Sequence, residues 1–299
     1  MKKVFIVVLN FNGKEDTLEC LASVSRLQVT GYRLQVVVVD NGSTDGSVEK
    51  IKSQKLKIKN FILIENKENL GFAEGNNVGL RFALKNRADF VLVLNNDTFV
   101  DKNLIVELLQ TAESCQKAGI FGPKIYFAPG FEFHRGRYRA EDLGKVIWYA
   151  GGKIDWQNTL FSHRGVDEVD QGQYGQVEET DFVSGCAMFV KREVIEQIGF
   201  FDKKFFAYLE DVDFCQRAKK AGFNLLYVPK ALLWHKVAQT TGGIGSQLQD
   251  YYITRNRLLF GFRWGSSRAK FALLKESLKL LSGPKRQGVV DFYLRKFGM

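Results

Sequence analysis

Four short polar clusters in this chain combine amides and carboxylates at spacings that could do chemistry. They are Asn10-Phe11-Asn12-Gly13, residues 40–46 starting at Asp40, Asn95-Asn96-Asp97-Thr98, and Glu210-Asp211-Val212-Asp213. A carboxylate placed like Asp40, at the tip of an apolar run, can accept a hydrogen bond from a pyrimidine ring N–H or a ribose hydroxyl. Its neighbours Asn41, Gly42 and Ser43 read instead as turn chemistry and a helix cap. Asn95, Asn96 and Asp97 offer two amides and a carboxylate, which suits a hard, oxygen-seeking cation and the diphosphate it neutralises; a plain Asx turn has the same composition. The last cluster puts three carboxylates within four residues. Capping and the helix dipole, about 0.3–1 kcal/mol per exposed acid, explain one acid better than three. Crowded like charges raise the pKa of one member, as a general base requires. The aromatic flank, Phe200-Phe201 and Phe205 to Tyr208, would exclude water.

These clusters need a scaffold that brings them to one edge. Residues 4–9, 35–40, 61–65 and 90–94 are apolar runs without alternation, the pattern of strands covered on both faces. Helical stretches lie between them; Leu104, Ile105, Leu108, Leu109 and Ala112 form one apolar stripe. Alternation of this kind predicts an α/β fold with a mostly parallel sheet, whose ligands sit at the carboxyl ends of the strands. The first strand is followed by no Gly-x-Gly-x-x-Gly, which counts against a nicotinamide enzyme. Residues 126–176 lose periodicity and predict an irregular insertion. A strand is expected over 181–190, helices over 192–198 and 211–221 with Gly222 as the C-terminal stop, and helical structure beyond 245.

The formal net charge is +10, and nine of those ten charges follow Thr254. A basic tail on a near-neutral body points to an anionic partner. Over 268–281, helical spacing puts Arg268, Lys275 and Lys279 on one face and Leu273, Leu274 and Leu281 on the other. Such a helix either meets an anionic membrane surface or docks on its own domain with a solvated charged face. The tail carries no recognised nucleic-acid motif, so no nucleic acid is expected as partner.

The ordered set of residues 39–43, 69–77 (Asn69, Gly71 and Asn76 among them), 94–97, 185–188 and 210–213 resembles the family 2 glycosyltransferases of the GT-A fold. Within that family it is most similar to the bacterial rhamnosyltransferase-type branch, over roughly residues 3–260. The resemblance implies an inverting transfer of a sugar, rhamnose among the candidates, from a dTDP- or UDP-sugar donor. The acceptor would be a hydroxyl of a glycan or of a lipid-diphosphate-linked molecule in cell-surface polysaccharide synthesis. Asp40 would hold the base, Asp97 would be the metal-binding acid, and Asp211 the catalytic base with Glu210 beside it. Asn10, Asn12, Asn69, Gly71, Asn76, Asn95, Asn96 and Gly185 would border the nucleotide sugar. Arg255, with Arg257, would add charge at the diphosphate, and His235 would complete the metal site. Asn95 stands at the first position of the Asp-x-Asp motif, and a neutral amide is a poorer ligand for Mg²⁺ or Mn²⁺ than a carboxylate. The implied organisation is a GT-A domain over 1–240, with a donor half over about 1–125 and an acceptor half over 177–240. A basic helical segment follows over 241–299.

Composition sets outer limits. The chain of 299 residues is 45% hydrophobic and 25% charged, as in ordinary globular proteins. It has no apolar run long enough to span a bilayer, and its short N-terminal apolar run, followed by Asn10 to Gly13, reads as a first buried strand in place of a secretory leader. Cys20, Cys115, Cys186 and Cys215 are too scattered for a zinc cage or a disulfide framework, which fits a reducing cytoplasm, with peripheral attachment at the inner face of the membrane. Two other readings stay open: a sugar nucleotidyltransferase on a related sheet, and a nucleic-acid-binding protein using the basic tail.

Overall fold

The computed structural model describes residues 1–53, 58–237, 245–280 and 282–298. The four expected β-then-helix units form its first half: β1 (Lys3–Asn10), α1 (Lys14–Val24), β2 (Arg33–Asp40), α2 (Ser47–Ser53), β3 (Phe61–Glu65), α3 (Gly71–Lys85), β4 (Phe90–Asn95), the short β5 (Thr98–Val100) and α4 (Leu104–Ser114). Val4 to Val8, Val36 to Val39 and Val91 to Leu94 are buried. Helices cover both faces of these strands, so the runs need not alternate. Each such side chain withdrawn from water contributes about 1.5–3 kcal/mol.

The second half extends the sheet with β6 (Ala118–Phe127), β7 (Ile147–Tyr149), β10 (Glu178–Glu179), β11 (Ala187–Lys191) and β12 (Asn224–His235). The strand order is β10-β12-β6-β11-β4-β1-β2-β3, with β5 on β12 and β7 on β6. Pairing is parallel along β1, β2, β3 and β4 and between β12 and β6, while β11 runs antiparallel between β4 and β6. The expected insertion is more ordered than its composition suggests, since it supplies β7 and a separate hairpin of β8 (Gly152–Asp155) and β9 (Leu160–His163). The strand expected over 181–190 is a correction. Only Ala187–Lys191 pairs, because the chain turns at Ser184, whose carbonyl accepts from Ala187 N–H.

The helices α5 (Arg192–Ile198) and α6 (Glu210–Lys220) lie where they are expected, and Gly222 at φ +93° follows α6. The C-terminal segment is α7 (Gln247–Trp264), α8 (Ser267–Ser277) and α9 (Gly283–Tyr293). The boundary expected at 240/241 lies outside the described residues. On the described side, α7 is built into the main core through Phe260. It is also tied to α6: buried Asp213 accepts from Arg217 and Trp264 at 2.9 Å and from Arg263 at 2.7 Å. The basic helix expected over 268–281 ends at Ser277. Leu273 is buried against Leu258 and Val289, so α8 docks inward on that side. Leu274 is exposed, and Leu281 lies outside the described residues.

Candidate active site

Three parallel strands end at one edge and deliver the first polar clusters there together. Asn10 and Asp40 are paired in the register of β1 and β2, and the Asn10 amide donates to the Asp40 carboxylate at 2.7 Å. Asp40 also accepts from Ser43 N–H at 2.9 Å, which closes the turn after β2. Asn12 joins them: its carbonyl oxygen accepts from Thr44 N–H at 2.8 Å, and its own N–H donates to Ser43 Oγ at 2.9 Å. From β4, the Asn96 amide donates to Thr17 at 2.9 Å and to Asn10 at 3.4 Å. This network fixes the rim around a buried Asp40.

Asn69 and Asn41 shape the next loop. Asn69 accepts from Asn41 and from Gly71 N–H, starting α3, while the Asn41 carbonyl oxygen takes Asn66 and Leu70. The turn role expected of Asn41 thus grows into a buried brace. Gly71 has φ +78°, and a Cβ there would lie 2.5 Å from the Phe206 ring. Asn76 is buried inside α3, where its amide donates to the Phe72 carbonyl one turn back.

Asp97 and His235 are brought together by strand register. Thr98 of β5 pairs with His235 of β12, and Lys236 N–H donates to the Asp97 carbonyl at 2.9 Å. His235 Nε2 consequently lies 3.1 Å from Asp97 Oδ1, with both side chains buried. Burial works against a charged imidazole, yet the Asp97 carboxylate and Cys186 outweigh it and hold His235 well above the usual range. Two adjacent ligands, each about 2.1 Å from an octahedral ion, are roughly 3.0 Å apart, so a cation that displaces the imidazole proton would find this pair at ligand spacing. Asn95 Oδ1, at the end of β4, is buried with no hydrogen-bond partner among the described residues, which leaves it a spare oxygen donor. No group of three or more His, Cys, Asp or Glu side chains placed to hold a metal occurs among the described residues. The residues therefore fit a hard divalent cation only as a low-charge partial shell that ligand oxygens would complete.

β11 starts beside the end of β4, where Asn95 N–H donates to the Cys186 carbonyl at 2.8 Å. That places Gly185 next to Asp211, the second residue of α6's acid pair. Gly185 N–H donates to Asp211 Oδ2 at 2.7 Å, and Val212 N–H donates to Oδ1 at 2.8 Å. Burial raises Asp211 above the ordinary carboxylate range even though these N–H groups pull the other way. Glu210 is pushed well above that range by its own burial and then by Asp211, and its Oε2 has no hydrogen-bond partner among the described residues. An acid pair poised in this way can hold or accept a proton.

Arg255 is corrected by the structure. It is fully buried, and its guanidinium donates to the carbonyls of Lys204, Phe205 and Gly298, so it has no face left for a diphosphate. Arg257 is likewise engaged, with Glu276 and with the carbonyls of Asn158 and Thr159. Two site neighbours were not foreseen: Trp148 and His163, from the insertion. The Trp148 ring stands edge-on to His235 at 4.6 Å and to His163 at 4.4 Å, forming an aromatic wall beside the Asp97–His235 pair. Strand alternation is the available signal for Trp148, since Ile147 and Tyr149 on either side are buried in the core.

Residues 5–199 match the family profile described as glycosyl transferase family 2. The chain is 27% identical over 257 residues to the low-salt glycan biosynthesis hexosyltransferase Agl10 of Haloferax volcanii, covering 85% of this chain and 74% of that protein. It is 28% identical over 245 residues to the N-acetylglucosaminyl-diphospho-decaprenol L-rhamnosyltransferase of Mycobacterium tuberculosis, covering 79% and 77%. The mannosyltransferase PcManGT from Pyrobaculum calidifontis, solved with GDP-Man and Mn²⁺, superposes with a TM-score of 0.58 at 16% identity, over 96% of this chain and 73% of that one. At that identity the match establishes the shared GT-A fold.

Proposed function

This chain belongs to glycosyl transferase family 2, and we propose that it is an inverting transferase using a dTDP- or UDP-sugar, with rhamnose as the leading sugar. The acceptor is a hydroxyl of a lipid-diphosphate-linked or growing glycan in cell-surface polysaccharide synthesis. The observation that carries this reading is Asp211, a partly buried carboxylate aimed by Gly185 N–H at 2.7 Å beside the strand edge that holds Asp97. A matched relative acts on a polyprenyl-diphosphate-linked N-acetylglucosamine, which supports the acceptor class.

In this mechanism Asp40, steadied by Asn10 and Ser43, accepts the ring N–H of the pyrimidine base. Asp97 and His235 would hold a Mg²⁺ or Mn²⁺ ion, which when bound neutralises the charge growing on the leaving diphosphate. Asp211 takes the proton of the acceptor hydroxyl while the acceptor oxygen bonds to the anomeric carbon. The bond to the diphosphate oxygen breaks on the opposite face, inverting the centre. Trp148 and the aromatic flank of Phe205 and Phe206 keep water from competing.

Among the described residues no helix is long and apolar enough to cross a membrane. A cytoplasmic enzyme held at the inner leaflet by its basic C-terminal helices meets such an acceptor without spanning the bilayer. Phe271 (68% exposed) and Leu278 (70%) stand among exposed Arg268, Lys275 and Lys279, which supports that placement.

The test incubates the protein with dTDP-rhamnose, UDP-N-acetylglucosamine, UDP-glucose and GDP-mannose, each with an N-acetylglucosaminyl-diphospho-polyprenol acceptor. A glycosylated lipid, a nucleoside diphosphate and an inverted anomeric centre by NMR are expected with a dTDP- or UDP-sugar. Release of pyrophosphate from dTTP or UTP with a sugar 1-phosphate in a parallel incubation, and no lipid product from the nucleotide sugars, would support a nucleotidyltransferase instead.

A further inference from the structure

The acid pair Glu210–Asp211 is preceded by a backbone that few sequences would adopt unaided. Phe206, Tyr208 and Leu209 all have positive φ, at 62°, 69° and 68°, and none is glycine. Leu209 is the residue on which α6 starts, so its conformation sets the direction in which Glu210 and Asp211 leave the loop.

A single side chain from α7 grips this loop. Asn256, fully buried, donates from its amide nitrogen to the carbonyls of Phe205, Ala207 and Tyr208 at 2.8, 2.7 and 2.8 Å. Its carbonyl oxygen is in turn held by Arg255 Nε at 3.1 Å. Arg255 adds donors to Lys204 and Phe205 at 3.0 and 2.8 Å and is fixed from behind by the Gly298 carbonyl. Tyr252 stacks on the Phe206 ring at 5.1 Å and 12°. From the donor side, Ala73 N–H of α3 donates to the Phe206 carbonyl at 3.0 Å.

We propose that Asn256, seated by Arg255, is a positioning residue for the Glu210–Asp211 pair: it holds a left-handed loop that the local sequence does not favour and so sets the direction of the Asp211 carboxylate. The inference rests on the reading of Asp211 as the base. It gives α7, which lies beyond the residues that match the family profile, a part in the chemical step. A buried amide whose two N–H groups are shared among three carbonyls of one loop is a stronger constraint than packing, because those carbonyls have polar needs that an apolar replacement leaves unmet.

The experiment compares wild type, Asn256→Ala, Asn256→Ser, Asp211→Asn and the double variant Asn256→Ala/Asp211→Asn. The readouts are nucleoside diphosphate release, calorimetry with UDP and dTDP, and amide hydrogen exchange over residues 205–213. In Asn256→Ala, turnover should fall by about 10²-fold, the loss expected when a reacting group is misplaced by about 1 Å. Its nucleotide Kd should stay within about twofold of wild type, and exchange should quicken at the start of α6. Asn256→Ser, which keeps one donor, should lose less. Adding Asn256→Ala to Asp211→Asn should cost nothing more, since both act through one carboxylate. Wild-type turnover in folded Asn256→Ala or Asn256→Ser, unchanged exchange, or losses that multiply in the double variant would each overturn the proposal. If Asn256→Ala fails to fold, Asn256→Ser decides the matter by the same readouts. Full activity in Asp211→Asn would remove the base assignment, and hydrogen exchange would still judge the grip of Asn256 on the loop.

Discussion

Asp211 and Gly185, 26 residues apart in sequence, are joined by a 2.7 Å hydrogen bond from the glycine N–H to the carboxylate. A Cβ at position 185 would lie 3.3 Å from Asp211 Cβ, so the glycine lets the acid approach the strand edge this closely. The bond points one oxygen at the backbone and stabilises the carboxylate in a pocket whose burial works against it.

Asp211→Asn is therefore expected to fold and to bind UDP or dTDP as wild type does, while transfer falls at least the roughly 10²-fold typical of a lost general base. Steady-state turnover with the lipid acceptor, beside calorimetry on the same preparation, checks this. Near wild-type turnover would take Asp211 out of the mechanism.

Asp97→Ala is expected to weaken binding of UDP and dTDP by about 10²-fold and to remove the response to Mn²⁺, because it deletes the only carboxylate of the proposed cation shell. Conversely, Asn95→Asp adds a charged oxygen and should tighten Mn²⁺ by about tenfold, since affinity for hard cations rises with ligand charge. Titration calorimetry with and without chelator tests both. Unchanged nucleotide affinity in Asp97→Ala would sink the assignment.

His163 predicts a pH effect on stability. Burial lowers its pKa from 6.5 to about 4, while its Nδ1 contact with the Trp148 carbonyl pulls weakly the other way. A base whose folded pKa is depressed contributes stability that is complete above the unfolded value and is lost as pH falls through the folded one. Folding stability should thus decline between pH 6.5 and 4, by on the order of 1–3 kcal/mol from this group, and the melting temperature should fall with it. His163→Phe should flatten that part of the curve. Identical pH profiles in the two proteins would show that another group governs it.

Changing Arg268, Lys275 and Lys279 together to Gln should abolish pelleting with anionic phosphatidylglycerol vesicles, at about 1 kcal/mol per basic residue, while turnover of a short soluble acceptor persists. Wild-type binding should weaken as salt rises, because the attraction is screened beyond about 8 Å at physiological ionic strength. Loss of soluble-acceptor activity in the triple variant would mean that α8 serves only its own domain.

The parallel half of the sheet was legible because Val4 to Val8, Val36 to Val39 and Val91 to Leu94 are apolar without alternation, and that pattern has few other uses. The strand-end position of Asp40 followed from the same logic. The distance between Asp97 and His235 did not, since it depends on the pairing of Thr98 with His235 across more than a hundred residues. Arg255 misled because an Arg in a mixed helix looks solvated until the helix's packing partner is known. Asn256 went unread for the related reason that an asparagine inside a helix is only a weak helix former in the sequence, and its three acceptors lie on a distant loop. His163 sits where periodicity gives no signal, and at Trp148 the alternation of one three-residue strand is the only one.

The contact between Gly71 and Phe206 bears on how such enzymes can be recombined. A crossover that takes its first half from one relative and its second from another joins a new position 71 to an old position 206. Any side chain at 71 would meet the Phe206 ring at 2.5 Å and its carbonyl at 2.7 Å, in a backbone conformation that only glycine adopts without strain. Hybrids built to exchange donor preference must therefore inherit the glycine and the aromatic loop as a matched set, and libraries that shuffle the halves freely will be thinned at this seam.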